Sequence, residues 1–223
     1  MNNEEQAESL VDRALSSTRE RILTGEYPPG SRLRLSQLAK ETGVSLIPVR
    51  EALRVLETER LIRNVPNKGA TVTELSIEDM NDLYALRILV ESEAIATSKP
   101  LDDEEAQELE ELLRQLEAAD EAGDTRTTMQ LHREFHFRLY ERSESTWLPF
   151  MIDILWKHAE RYQWLSLQHR PDVANAEHRA ILDALARGEV EHAARALRTH
   201  LGSTRALLEA AYTHFPELTT AVG

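Results

Sequence analysis

The sequence predicts a mostly α-helical protein, with helices and one hairpin in its first 75 residues and helices alone afterwards. Helical periodicity runs through most of the 223 residues. The formal net charge of −13 is unevenly shared, because residues 1–75 hold eleven basic and eleven acidic side chains. Residues 28–68 are locally basic, with eight basic side chains against four acidic ones. This asymmetry indicates a polyanion-binding part joined to a second part, although solvated surfaces also carry charged runs.

The composition excludes several classes of site. Cysteine is absent, so the chain has no disulfide bonds and no thiolate metal site. No apolar run approaches the roughly 18 residues that a membrane span needs, and the acidic N-terminus lacks the basic start of a signal peptide. We therefore expect a soluble cytoplasmic protein with no membrane association.

A helix and a turn are predicted at the start of the chain. Residues 8–24 place Leu10, Leu15, Ile22 and Leu23 near one helical face, and a glycine follows as a stop signal. The next segment, YPPGS, is typical of a turn.

The segment GVSLIPVREAL is predicted to contain the turn and second helix of a helix-turn-helix. A short helix over LSQLAKET ends at Gly43, and only a short break separates it from the next helix. Ser45 can cap that helix, with Pro48 in its first turn, where a missing N–H costs nothing. Arg50 and Arg54 lie one turn apart, away from the apolar stripe.

Two short strands are predicted after the helix-turn-helix. They are LIRNV and ATVTEL, and the PNKG turn between them carries Lys68 and Gly69. A helix, a helix-turn-helix and a hairpin, in this order, form a winged helix-turn-helix. In such a fold the start of the second helix reaches base edges in the DNA major groove, and flanking cations hold phosphates.

Three motifs resemble the GntR family of bacterial transcription regulators. They are GEYPPGSRL, LAKETGVSxxPVREALRxLE and NKGATV, and the resemblance covers about positions 10–73. It implies that this part binds double-stranded operator DNA. By the resemblance, Ser45, Arg50, Lys68 and Gly69 stand at DNA-contacting positions.

The chain departs from this family at the start of the second helix. The family usually has Arg-Thr where this chain has Leu46 and Ile47, so a base-reading arginine is missing. Leu46 could contact a thymine methyl group, or Arg34 and Arg50 could take over the reading of bases. Arg54, one turn beyond Arg50, completes the predicted DNA-binding set.

A C-terminal antiparallel helical bundle is predicted from residue 75 onward. Six amphipathic segments of 15–24 residues are separated by acidic, proline or glycine breaks. The chain has eight histidines, and His132 and His136 project from one face of one helix at i and i+4. His178 and His200 lie on helices that should line the same bundle. Imidazole suits Zn and similar ions, although a histidine is more often a core or surface residue than a ligand.

Further motifs resemble the FCD effector domain of the FadR-like GntR subgroup. They are FHFRLYERS, EHRAILDALxxGE and AxxALRxHL, within about residues 78–211. Many such domains hold one divalent metal through an aspartate and three histidines. His136, His178 and His200 match the three histidines, and His132 stands where the aspartate would be. The resemblance thus implies a divalent metal, Zn or Ni, with His132 as a candidate fourth ligand. Such neutral ligands leave the ion its full charge and favour an anionic effector.

Two further residues are candidates for binding a small carboxylate effector. Arg87 matches a position where the family often has arginine and could clamp a carboxylate. The alternative is an ion pair with Glu91, one helical turn further along. Tyr140 is expected in the core of the bundle or in the wall of the effector cavity, and so are Trp147, Trp156 and Trp164.

These expectations combine into a bacterial transcription regulator, which we expect to act as a repressor. Residues 1–75 are predicted to bind DNA, and residues 76–223 to bind the effector and to form a homodimer on an inverted-repeat operator. The alternative function is a helical-bundle metalloenzyme. It is disfavoured because no HExxH motif occurs, and Glu134 lies about 200° around its helix from His132. We therefore expect no enzymatic activity.

Overall fold

A computed structural model describes residues 9–166 and 173–214 of the chain. Two compact units divide these residues. The first contains residues 9–76 and 160–165, and the second contains residues 77–159 together with the remaining described residues up to 214. The assignment of residues 1–75 to DNA binding and 76–223 to effector binding stays a prediction.

The first unit has the predicted order of helices and strands. It contains α1 (Leu10–Leu23), α2 (Leu35–Thr42), α3 (Leu46–Thr58), β1 (Ile62–Val65) and β2 (Gly69–Val72). The two strands pair in antiparallel register. The predicted winged helix-turn-helix is confirmed.

Short local signals set the ends of these elements. α2 ends at Gly43, whose φ of 70° is in the left-handed region that glycine tolerates. Ser45 occupies the N-cap position of α3, as expected, but its side chain makes no capping hydrogen bond. Leu10 departs from the prediction, since it is 58% exposed, whereas α1 buries Ala14 and Ile22. Ala14 and Ile22 lie on one face of α1 and pack in the core of the first unit. Leu10 belongs to the first turn of the helix, which extends beyond this core.

The second unit is the predicted helical bundle. Its described helices are α4 (Ile77–Ala96), α5 (Asp103–Glu121), α6 (Thr125–Tyr140), α7 (Trp147–Ser166, whose last turns belong to the first unit), α8 (Val173–Ala186) and α9 (Val190–His214). α9 packs along both α4 and α8, and α5 packs against α6 and α8. α5 begins with a capping box between Asp102 and Glu105, which satisfies the first N–H groups of the helix.

The core of the second unit contains side chains from all six of these helices. Phe135, Tyr140 and Trp156 are among its largest buried residues. Trp147 departs from the expectation of a core or cavity position, because 71% of it is exposed. The side chain of Trp164 lies outside the described residues. None of the helices in the described ranges combines the length and the apolar character that a bilayer crossing requires.

Candidate DNA-binding groove and histidine cluster

Helix α3 is the second helix of the helix-turn-helix, and we call it the recognition helix. It presents a polar and basic face to solvent. Pro48, Val49 and Leu53 are buried, so α3 packs through this side. Leu46, Arg50 and Arg54 are exposed at i, i+4 and i+8, and they therefore form one row along the opposite side. This row begins at the N-terminus of α3, the end that reaches base edges in a winged helix.

Backbone hydrogen bonds bring a second basic segment beside the wing. Val72 N–H donates to the Ser31 carbonyl, and Leu33 N–H donates to the Ala70 carbonyl, each at 2.9 Å. The segment between these contacts runs antiparallel to β2. Arg32 and the predicted Arg34 consequently lie next to the wing and close to the start of α2.

The helix row, the basic segment and the wing line one groove, which we call the basic groove. Six of the seven predicted DNA-binding residues contribute to it: Arg34, Leu46, Arg50, Arg54, Lys68 and Gly69. The seventh, Ser45, is exposed at the adjacent N-cap. Arg32 and Asn64 also line the groove and were missed as site residues. The local excess of basic residues pointed to Arg32, but no sequence signal pointed to Asn64.

The charges of the basic groove are mostly uncompensated. Arg54 pairs with Glu51 at 2.9 Å on an exposed surface, where such a pair is weak. Arg34, Arg50 and Lys68 form no ion pair within residues 9–166 and 173–214. The acidic Glu57 is held by Asn64, whose side-chain amide donates to it at 2.8 Å, and this contact links α3 to β1. A cationic surface of this kind attracts phosphates.

The second unit gathers four buried histidines, which we call the histidine cluster: His132 and His136 on α6, His178 on α8, and His200 on α9. One ligand nitrogen from each ring lies within 4.8 Å of the ligand nitrogens of the other three. The Nε2 atoms of His136 and His178 are 3.2 Å apart. The four predicted metal ligands are therefore brought together.

A hydrogen-bond chain orients His136. Tyr140 donates its hydroxyl proton to the Glu91 carboxylate in a short contact, so its oxygen accepts from His136 Nδ1–H at 2.9 Å. This assignment leaves a lone pair on His136 Nε2, the atom that faces His178. Burial, followed by the nearby negative charge of Glu91, raises the pKa of Tyr140 well above its usual value and keeps the donor protonated.

A carboxylate orients His200 in the same way. Glu177 accepts a hydrogen bond from His200 Nδ1–H at 3.0 Å and another from Ser203 at 2.7 Å. These bonds, the one from His200 above all, lower the pKa of Glu177 despite its partial burial. Because Nδ1 carries the proton, His200 also has its lone pair on Nε2.

Arg87 forms the ion pair that was the alternative to effector binding. It is fully buried on α4, and its Nε donates to Glu91 at 2.6 Å. Its guanidinium also lies 4.8 Å from the ring centre of Tyr84 and 4.7 Å from that of Trp156. Burial is the largest single effect and lowers the pKa of Arg87, but the charge and hydrogen bond of Glu91, together with Tyr84 and Tyr140, raise this pKa above its usual value. Arg87 Nη1 is buried and donates no hydrogen bond within the described chain.

The donor set of the histidine cluster fits a divalent transition metal. Imidazole nitrogens bind Zn at about 2.0–2.1 Å, so two ligands of a tetrahedral ion lie about 3.3 Å apart. The 3.2 Å between His136 and His178 matches this spacing, although an N–H···N hydrogen bond has a similar length. The carboxylate partner of His200 is an outer group that metal-binding histidines ordinarily have, and the Tyr140 hydroxyl, itself bonded to a carboxylate, takes this place for His136. Glu134, the one acid between His132 and His136, is exposed on α6 and faces away from them.

Comparison with known families gives a match to each unit. The family described as bacterial regulatory proteins, gntR family, matches residues 10–72, and the FCD domain matches residues 82–203, more than half of the chain. The chain belongs to the GntR family. It is a GntR-type transcription regulator with an FCD domain, and the resemblance seen in its motifs is confirmed.

Individual relatives agree with this assignment. The chain is 31% identical over 205 residues to an uncharacterized HTH-type transcriptional regulator, BphR, of Paraburkholderia xenovorans, covering 88% of this chain and 84% of that protein. It is 28% identical to the HTH-type transcriptional repressor GlaR of Escherichia coli over 81% of this chain and 87% of that one. The solved structure of Escherichia coli McbR/YncC is similar with a TM-score of 0.80 and 26% identity, covering 92% of this chain and 99% of that one.

Each candidate site of this GntR regulator lies in a part of the chain that a family match covers. GntR regulators bind DNA, and the basic groove lies within the matched residues 10–72. FCD domains bind small-molecule effectors and commonly bind metals, and the histidine cluster lies within residues 82–203. These families consist of transcription regulators, which are not enzymes.

Proposed function

We propose that this GntR regulator is a repressor that binds operator DNA as a homodimer and is controlled by a small carboxylate at a metal site in its FCD domain. The observation that carries the proposal is the pairing, in one chain, of a basic groove on the recognition helix with a buried cluster of four histidines. Repression is supported by the relative GlaR, which is named a repressor.

In the proposed complex the basic groove contacts DNA with two kinds of group. Arg50 is exposed near the start of α3 and forms no ion pair with the part of the chain that the structure describes, and it contacts a guanine edge or a phosphate. Lys68 and Gly69 at the wing tip, together with Arg34 and Arg54, contact the phosphate backbone, which fixes the register of the protein. Ser45, exposed at the N-terminus of α3, is also within the proposed contact set.

The proposed metal ligands are His136, His178 and His200, with His132 as the fourth. Zn or Ni is the preferred ion because all four donors are imidazoles. A bound divalent ion would supply positive charge inside the domain to attract an anionic ligand. Tyr140 and Glu177 hold His136 and His200 in the tautomers that ligation requires.

The proposed effector is a small carboxylate, because the cluster and its surroundings favour an anion. The four histidines contribute no negative charge, unlike a site that contains an aspartate. Arg87 supports the proposal through its buried Nη1, which lacks an acceptor in the described chain, and a carboxylate is a suitable acceptor. Tyr140, which already joins Glu91 to His136, is the second proposed effector-binding residue.

The proposed dimer is supported by apolar side chains exposed on α4 and α7. The two helices contact each other through Arg87 and Trp156. We call their exposed apolar residues the apolar surface: Leu86, Leu89, Trp147, Phe150, Met151 and Ile154. Leu89 is 66% exposed and Phe150 is 56% exposed. Large apolar side chains exposed on two helices that contact each other are candidates for an interface, and a second copy would bury them.

Binding of operator DNA by the Arg50→Ala variant tests the role of the groove. Operator duplexes selected from a random pool are titrated with the full-length protein, and the affinity is read by fluorescence anisotropy. We expect Arg50→Ala to lose about 1–3 kcal/mol of binding free energy. The matched control is Arg114→Ala, which removes an exposed arginine from α5 of the other unit. Equal affinity of the Arg50 variant and the wild type would refute the assigned role.

Metal content tests the histidine cluster independently of DNA. Elemental analysis of the purified wild type is expected to give about one divalent ion per chain. The His178→Ala/His200→Ala variant is expected to lose it, and His192→Ala, which removes an exposed histidine of α9, is expected to retain it. Full metal content in the double variant would place the ion elsewhere. A thermal-shift screen of mono-, di- and tricarboxylic acids then tests whether an acid stabilises only the metal-loaded protein.

A further inference from the structure

The first turn of the recognition helix exposes two aliphatic side chains. Leu46 and Ile47 are the first two residues of α3, and they are 47% and 73% exposed. The neighbouring apolar residues Pro48 and Val49 are buried, so the helix already has its packing face without them. Leu46 and Ile47 therefore contribute little to the core of the first unit, and their side chains are available to a partner.

Their position is the one that faces bases in the proposed DNA complex. Leu46 lines the basic groove together with Arg34 and Lys68. It begins the row that continues with Arg50, and Ile47 lies about 100° around the helix from it. Cations on both sides of the first turn would hold phosphates, and the aliphatic side chains between them would be brought against the floor of the major groove.

The chemistry of these side chains limits what they can recognise. The side chains of Leu46 and Ile47 cannot donate or accept a hydrogen bond, so they cannot read the polar edges of guanine, adenine or cytosine. The apolar group that the major groove offers is the C5 methyl group of thymine. A phosphate or a cation would leave them exposed to water, and a polar base edge pressed against them would lose its hydrogen bonds to water.

We propose that Leu46 and Ile47 are specificity-determining residues that recognise thymine methyl groups in each operator half-site. This inference rests on the proposed DNA-binding function and adds its base preference. Burial of one methyl group changes affinity by about fourfold, from the transfer free energy of one methylene. Two thymines per half-site therefore contribute a preference of about 15-fold, obtained without a base-reading arginine at these positions.

Replacing thymine by deoxyuridine tests the proposal, because it removes the methyl group and leaves the hydrogen-bonding edges unchanged. High-affinity duplexes are selected from a random pool with the full-length wild type. Each thymine of the selected site is then replaced singly, and affinities are measured by fluorescence anisotropy. We expect at least one thymine per half-site whose replacement weakens binding of the wild type by about fourfold. The penalty should vanish for the Leu46→Ala/Ile47→Ala variant.

The variants keep the test independent of folding. Both residues are exposed, and alanine favours the helix, so the double variant should fold; circular dichroism and its affinity for nonspecific DNA check this. Val55→Ala is the matched control, an exposed aliphatic residue two turns further along α3, and should keep the penalty. If the enriched sites show no deoxyuridine penalty, or if the double variant keeps the penalty, the proposed methyl contact is wrong. The proposed DNA-binding function would still stand in that case. If selection enriches no sequence, the DNA-binding function itself fails, and this inference fails with it.

Discussion

Replacing Tyr140 by phenylalanine removes one oxygen atom that joins two parts of the FCD domain. The hydroxyl accepts a hydrogen bond from His136, a proposed metal ligand, and donates one to Glu91. Glu91 in turn pairs with Arg87. The ring of Tyr140 is fully buried, and phenylalanine fills nearly the same volume, so the substitution mainly removes these two bonds.

The structure sets the size of the expected effect. A hydrogen bond to a buried carboxylate contributes about 1.5–3 kcal/mol, and an imidazole N–H left without an acceptor costs about 1–3 kcal/mol. The two terms share one atom and do not add fully, so we expect the free energy of unfolding of the metal-free protein to fall by about 2–4 kcal/mol. Loss of the group that orients His136 should weaken metal binding by about 10–100-fold.

Chelator competition at constant pH measures the metal affinity, and denaturant titration of the metal-free protein measures stability. His192→Ala serves as the control for an unrelated histidine on the surface. A Tyr140→Phe protein that folds and binds metal with wild-type affinity would show that His136 is not oriented through Tyr140. The assignment of His136 as an inner ligand would then lose its structural support.

Three more experiments address the buried ion pair, the apolar surface and the wing turn. Arg87→Met or Glu91→Leu alone should lower the free energy of unfolding by about 3–5 kcal/mol, whereas the double variant should lose less than the sum, as denaturant titration measures. Leu89→Asp should convert the proposed dimer to monomers in analytical ultracentrifugation, because it puts a charge in the apolar surface. Gly69→Ala should destabilise the wing by about 1 kcal/mol or more and weaken operator binding in anisotropy titrations, because φ at this position is +77°. Gly202→Ala, in a helix with open space for a Cβ, is its control.

Each of these experiments has an outcome that would contradict its premise. Fully additive losses would mean that the two charges are not coupled. A dimer that persists with Leu89→Asp would exclude α4 from the dimer interface. Operator binding unchanged by Gly69→Ala would show that the wing does not need its left-handed turn to contact DNA.

The sequence predicted the elements of the fold because their signals are local. The glycine after α2 and the proline in the first turn of α3 mark helix ends that the structure retains. The hairpin was predicted from a four-residue turn, in which both Asn67 and Gly69 adopt positive φ. Histidine spacing placed His132 and His136 on one face of α6, and the structure brings them together.

The contacts around the histidine cluster could not be predicted, because they join residues far apart in sequence. Tyr140 and Glu91 are 49 residues apart, and no periodic pattern links them. The pairing of Arg87 with Glu91 was one of two local alternatives, and spacing alone could not decide between them. Only the packing of α4 against α6 brings Tyr140 to Glu91.

The apolar surface was also missed, for a different physical reason. α7 carries apolar residues on more than one face, so its periodicity does not tell which face enters the core. Ile152 and Trp156 are buried, whereas Trp147 and Phe150 are exposed. A helix that is apolar on both faces is consistent with a core on one side and a partner on the other.

Control of DNA binding by the histidine cluster is tested by measuring operator affinity with and without an acid that binds the metal-loaded protein. Operator affinity is measured for metal-loaded wild type and for His178→Ala/His200→Ala, each with and without the carboxylate found by thermal shift. We expect both proteins to bind the operator equally well without the acid, and the acid to weaken binding of the wild type alone. The size of this change reports how differently the acid binds the free and the DNA-bound forms. An equal response to the acid in the double variant would contradict control of DNA binding through the cluster.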